Sequence, residues 1–204
     1  MKLFLFDVDS TLINEEVIEL MAAHAGVERE VAQITERAMA GELDFAASLR
    51  ERVALLLGLS KDVLLDVSQK ATLTNGAAEL IGAIHEAGDV AAVVSGGFIE
   101  VITPIMKQLG IKEYLANTLE VENGFLTGRV SGKIIDREAK AAFLNELRSK
   151  YRPSQTIAVG DGANDIEMVK AADIGIAFCA KPALQAVADV VITNRDLREV
   201  LANL

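Results

Sequence analysis

Five short apolar runs punctuate the chain: Lys2 to Phe6, Val90 to Val94, Thr156 to Val159, Ile174 to Ala177 and Val190 to Ile192. Each is apolar nearly throughout rather than alternating, as expected of strands buried on both faces, and longer segments of helical periodicity separate them. The pattern predicts an α/β protein with a mostly parallel, Rossmann-like sheet covered by helices on both sides. In such sheets ligands gather beyond the carboxyl ends of the strands.

Two stretches depart from the alternation. Between the first strand and a helix near Ala77 to Ala87 lie roughly sixty residues of helical periodicity with no convincing strand, too many for an ordinary connection. They predict a helical cap over residues 14–72, inserted into a core formed by 1–13 and 73–204. Val17, Leu20, Met21 and His24 share one helical face and Val31, Ile34 and Ala38 another. Asn14 is a candidate cap for the first helix, Gly41 marks a break, and Asp44 offers an N-cap to a third helix running to about Leu57. Further on, two β-prone runs within Asn117 to Val130 flank Glu122, Asn123 and Gly124, which predicts a small β-hairpin.

Composition narrows the function classes. The 204 residues carry a formal net charge of -10 with no long block of Lys or Arg, so neither nucleic acid nor an anionic membrane is an expected partner. A single cysteine, Cys179, rules out an internal disulfide framework and reads as a small buried apolar residue. The run before Asp7 is too short for a secretory signal, and no apolar stretch approaches the roughly 18 residues of a membrane span. A cytoplasmic location is expected, with no room for an added regulatory domain. His24 and His85 read as structural or surface residues.

The chemistry gathers at the strand ends. Asp7 closes the first apolar run and Asp9 follows two residues later, a spacing that in extended geometry returns its side chain to the same side. Ser95, Gly96 and Gly97 follow another run, where glycines permit close backbone approach to an anion and the serine supplies a donor. Lys140 falls in the first turns of a helix that Asp136 would cap, where the helix dipole disfavours a cation and an anionic ligand would explain one. Asp161 follows a later run and could coordinate a cation, while Asn164 and Asp165 either reach ligands or cap the next helix. One carboxylate to attack phosphorus, another to handle a proton and distant acids to hold a hard cation together suggest magnesium-assisted phosphoryl transfer.

In that order, D-V-D-S-T, S-G-G, Lys140 and G-D-G-A-N-D resemble the four motifs of the haloacid dehalogenase superfamily. The likeness runs essentially end to end and, through N-E-E, G-E-L-D-F-A-A-S-L-R-E-R and F-C-A-K-P, is closer to its phosphoserine phosphatase family. The resemblance implies that Asp7 attacks phosphorus and that Asp9 protonates the leaving oxygen and then activates water. It further implies that Mg2+ is held by Asp7, Asp161 and the backbone carbonyl of Asp9, with Asp165 supporting the metal loop. Ser95, Gly96, Gly97, Lys140 and Asn164 would bind the phosphoryl group. Glu16 and Arg52 would grip the ammonium and carboxylate of phosphoserine, and Met39 and Phe45 would cover its carbon chain. Arg52 shares a helical stripe with Phe45, Leu49 and Leu56, which directs it toward the interior or the cleft. The implied reaction is the last step of serine biosynthesis. Alternatives are another small phosphomonoester, transfer to another acceptor, or a phospho-accepting receiver module, against which Asp9 and the long insert argue.

Overall fold

In the computed structural model, which describes residues 1–204, the first apolar run is the central strand of a seven-stranded sheet. The strands are β1 (Lys2–Phe6), β2 (Val90–Phe98), β3 (Glu113–Glu122), β4 (Phe125–Ser131), β5 (Gln155–Gly160), β6 (Ile174–Phe178) and β7 (Val190–Ile192). They lie in the order β4-β3-β2-β1-β5-β6-β7, and every neighbouring pair is parallel except β3 with β4. From β1 the chain builds outward through β2 and β3, then crosses back to build the other side through β5, β6 and β7. That reversal makes the carboxyl end of β1 a topological switch point, where the connections diverge and leave a crevice.

Alternation along β1 divides the interior. Phe4 and Phe6 enter a large apolar cluster, while Leu3 and Leu5 enter a smaller one on the opposite face. Helices α1 (Val17–Ala25), α2 (Glu28–Met39), α3 (Phe45–Ala54) and α4 (Val63–Lys70) all fall between β1 and β2. Their residues Val17, Met21, Leu49, Val53 and Leu56 join the same cluster as Phe4 and Phe6, so the apolar interior runs from the sheet into the insert. Further helices α5 (Ala77–Glu86) and α6 (Ile99–Leu109) cover this face, and α7 (Arg137–Tyr151) and α8 (Ile166–Ala171) the other. Short helices α9 (Pro182–Gln185) and α10 (Glu199–Ala202) complete the chain.

The insert is fastened at two places. Ile13 pairs with Leu73 where the chain leaves and regains the core, and the Asn14 N–H donates to the Thr72 carbonyl at 3.0 Å. At the far end Ser60 pairs with Phe125, and the Gly58 and Leu126 amides donate to the Leu126 and Leu59 carbonyls, each at 2.9 Å. The hairpin therefore serves as an extra strand edge for the helical segment. Its turn, Asn123 and Gly124 with φ of 51° and 87°, has the two positive φ values that match the twist of tightly joined strands.

Several local expectations change. Asn14 does not cap α1, because Glu16 occupies that position and the Asn14 amide donates instead to Thr72 Oγ1 at 3.0 Å. Asp44 and Asp136 do cap α3 and α7, accepting from the Ala47 and Ala139 amides at 2.7 and 2.9 Å. The third helix ends at Ala54 rather than Leu57, and α4 is a further helix that had no separate signal. Strand β3 begins at Glu113 and pairs with β2 before entering the hairpin, so the hairpin grows out of the main sheet. Cys179 is half-buried in a loop at φ 46°, not a core residue, since β6 has ended and the chain turns there toward α9.

Candidate active site

Asp7 is the first residue beyond β1, and its amide donates to the Val159 carbonyl of β5 at 2.9 Å, so the strand ladder carries its Cα to the sheet rim. After it the backbone makes one wide turn over Val8–Leu12, closed by the Ile13 amide on the Val8 carbonyl at 3.0 Å. Within that turn Ser10 adopts φ 56°, a left-handed conformation that is strained for a residue with a Cβ. The turn brings Asp9 back over the rim. A side chain at Gly97 would lie 3.2 Å from Asp9 Oδ2, and one at Gly96 would lie 2.9 Å from the Phe45 ring. Glycines here let the β2 backbone meet the Asp9 carboxylate on one side and the α3 ring on the other without displacing either.

Ser95, Gly96 and Gly97 lie within the end of β2, past a register shift, rather than in a free loop. The Ser95 hydroxyl accepts from the Gly97 amide at 2.8 Å, so its proton remains to be donated elsewhere. Helix α6 starts only at Ile99.

Lys140 is fully buried at the start of α7, with Nζ 2.7 Å from Asp7 Oδ1 and 2.7 Å from Asp165 Oδ1. Burial disfavours its charge, but Asp165 and Asp7 outweigh burial and hold the ammonium protonated. One cation cannot compensate two carboxylates. Burial, followed by Asp165, accordingly raises the Asp7 carboxyl well above its ordinary range. Asp165 spends its other oxygen on the Asp161 and Gly162 amides at 3.1 and 3.0 Å, which shapes the loop after β5.

Carboxylate oxygens of Asp7, Asp161 and Asp165 lie within 4.8 Å of one another. Burial first, and Asp165 next, push Asp161 up to about 7. Crowded hard oxygen donors whose negative form is penalised by their neighbours suit a divalent cation. Both Asp165 oxygens already accept hydrogen bonds, whereas the Asp161 carboxylate accepts none from the protein, so the donor set fits a cation held by Asp7 and Asp161 and braced by Asp165. Asp9 Oδ1 is buried without a hydrogen-bond partner, and burial, then Glu16, raises that carboxyl well above its ordinary range.

The insert adds a second charged pair. Glu16 accepts from the Ser10 hydroxyl at 2.7 Å, and Arg52 Nε donates to the Ser48 carbonyl at 3.3 Å. No ion pair joins them, although each acts on the other's proton affinity after the dominant influence of burial. Both retain hydrogen-bonding capacity for a zwitterion. Asn164 lies near Gly96, whereas Met39 is not brought in and stands 74% exposed at the end of α2.

Asn117 escaped the motif reading. It is buried in β3, donates to the Gly96 carbonyl and accepts from the Ile135 amide, both at 2.8 Å, and so ties the β2 end to the segment leading into α7. The only available signal was an asparagine in a β-prone run, where that residue is disfavoured.

With this geometry in view, the profile of the haloacid dehalogenase-like hydrolases matches residues 4–170, and a second profile of the same description matches residues 138–203. A phosphoserine phosphatase from Streptococcus thermophilus is 49% identical over 98% of this chain and 94% of its own length. One from Mycobacterium tuberculosis is 50% identical over 98% of this chain, which spans only 49% of that longer protein. A solved structure described as the phospho-aspartyl intermediate analogue of phosphoserine phosphatase superposes with a TM-score of 0.93 at 46% identity, covering 100% of this chain and 98% of that one. The chain belongs to the haloacid dehalogenase-like hydrolases, among the phosphoserine phosphatases.

Proposed function

We propose that the chain hydrolyses O-phospho-L-serine to L-serine and inorganic phosphate through an aspartyl-phosphate on Asp7, with Mg2+ as its cofactor. What supports this most is the Lys140-bridged carboxylate cluster at the switch point, with Glu16 and Arg52 close enough to Asp9 for their charges to act on one another. Lys140 holds Asp7 Oδ1, which leaves the other oxygen to attack phosphorus as the bond to the seryl oxygen breaks. Asp9, whose carboxyl burial and then Glu16 raise above its ordinary range, gives its proton to that departing oxygen. As a carboxylate it then takes a proton from water, whose oxygen attacks phosphorus and frees Asp7. Bound by Asp7, Asp161 and the Asp9 carbonyl, Mg2+ would offset the repulsion between carboxylate and phosphate. Ser95, Gly96, Gly97, Lys140 and Asn164 orient the phosphoryl oxygens, and Phe45 on Gly96 shuts water from the cleft.

A panel of phosphomonoesters tests the reading, with free phosphate and transfer products measured separately. Phosphoserine is expected to exceed an aryl phosphate in kcat/KM by on the order of 10²-fold, with phosphate as the phosphorus product. Parity between the two substrates would sink the narrow assignment. A chelator should abolish release, and magnesium should restore it. Arg52→Ala should cost phosphoserine on the order of 10²-fold, because a partly desolvated carboxylate partner is lost, and cost an aryl phosphate only a few-fold.

A further inference from the structure

Arg195 lies in the loop after β7, 185 positions from Ser10 in sequence, and no role above requires it. Its Nη2 donates to the Ser10 carbonyl at 3.1 Å and its Nε to Asn14 Oδ1 at 2.9 Å. The first acceptor belongs to the turn that carries Asp9, and the second to the short segment that leads from it to Glu16. Ser10 is the residue held at φ 56°, and its hydroxyl reaches Glu16 Oε1 at 2.7 Å. Asn14 in turn donates to Thr72 Oγ1 and the Leu73 carbonyl, and Thr72 donates to both Glu15 oxygens, so the same contacts fasten the two crossings between core and insert.

We propose that Arg195 is a positioning residue for substrate specificity: its guanidinium fork holds Ser10 in the left-handed conformation from which the hydroxyl fixes Glu16. A planar fork can satisfy two acceptors at once, which a single ammonium cannot. The left-handed backbone needs such an external hold, because the residue is not glycine. The inference rests on the reading of Glu16 as the group that meets the substrate ammonium.

The test uses the full chain, with Arg195→Met keeping the aliphatic stem and Ser10→Ala removing the hydroxyl. Arg195→Met is expected to lower kcat/KM about tenfold on phosphoserine and phosphoethanolamine, chiefly through KM, and to leave phosphoglycolate, which has no ammonium, within about twofold. Arg195→Lys should not rescue. In the Ser10→Ala background the same substitution should add little, since the route to Glu16 is already cut. Equal losses on phosphoglycolate, full rescue by lysine, or additive losses would overturn the proposal. Hydrogen exchange gives a readout independent of any substrate: amides of residues 8–16 should exchange about tenfold faster in Arg195→Met, with the sheet unchanged. Unchanged exchange there defeats the positioning role. Faster exchange in a protein whose wild type ignores the substrate ammonium would instead refute the Glu16 reading.

Discussion

Asp7→Asn is expected to lower phosphate release from phosphoserine by on the order of 10⁴-fold or more, because an amide of the same shape cannot attack phosphorus. The fold should survive. The asparagine oxygen can still accept from Lys140 Nζ, which retains Asp165 as its charged partner at 2.7 Å. The variant also reports on the electrostatics of the cluster. Asp7 binds its proton more tightly folded than unfolded, so between the ordinary carboxylate range and its raised value the native state carries more protons. Stability in a chelator therefore falls as pH rises through that window, and the non-titrating variant should show a flatter decline. Thermal melts at a series of pH values, paired with single-turnover phosphate release, check both halves. Substantial phosphate release by the folded variant would remove Asp7 from its assigned role.

Lys140→Met carries the second large effect, on stability as well as rate. Methionine fills similar space but leaves the Asp7 and Asp165 carboxylates facing each other without their shared cation. Breaking a buried ion pair by removing one partner costs about 3–5 kcal/mol, which for a chain of this size lowers the melting temperature by about 6–20 °C. The loss should shrink on acidification. Once the ammonium is gone, Asp7 loses the one neighbour that lowers its already raised proton affinity, and protonating it removes part of the uncompensated charge. Activity should drop by on the order of 10²–10³-fold even where the protein is folded, since a group orienting Asp7 and the phosphoryl oxygens is lost. A melting temperature equal to wild type at both pH 5 and pH 8 would contradict the structural half of this account.

Strands β1, β5, β6 and β7 were readable within a residue or two, because continuous apolar runs bounded by polar turns have few other uses in a soluble sheet. The end of β2 was not, since Ser95, Gly96 and Gly97 are loop-forming residues that extend the strand only because Asn117 and the Asp9 turn pack against them. The first half of β3 was hidden for a related reason. Its pairing with β2, not its own composition, makes residues 113–117 a strand. Motif spacing singled out Asp7, Asp9, Lys140, Asp161 and Asp165, and the structure gathers them at one rim. Asn117 and Arg195 left no comparable trace. Each works through hydrogen bonds to partners 18 to 185 positions away, for which a linear pattern has no periodicity to offer.

The order of residue types along the chain was enough to specify a parallel sheet with a helical insert, and a phosphoryl-transfer kit of acids, a lysine and small donors. Those properties follow from local periodicity and side-chain chemistry, which are written residue by residue. Which acids share Lys140, and which oxygen of each carboxylate remains unengaged, came from the packing of α7 against the ends of β1 and β5. Proton affinities and ligand geometry depend on distances of a few ångströms and on burial, and both arise only when segments remote in the chain come together.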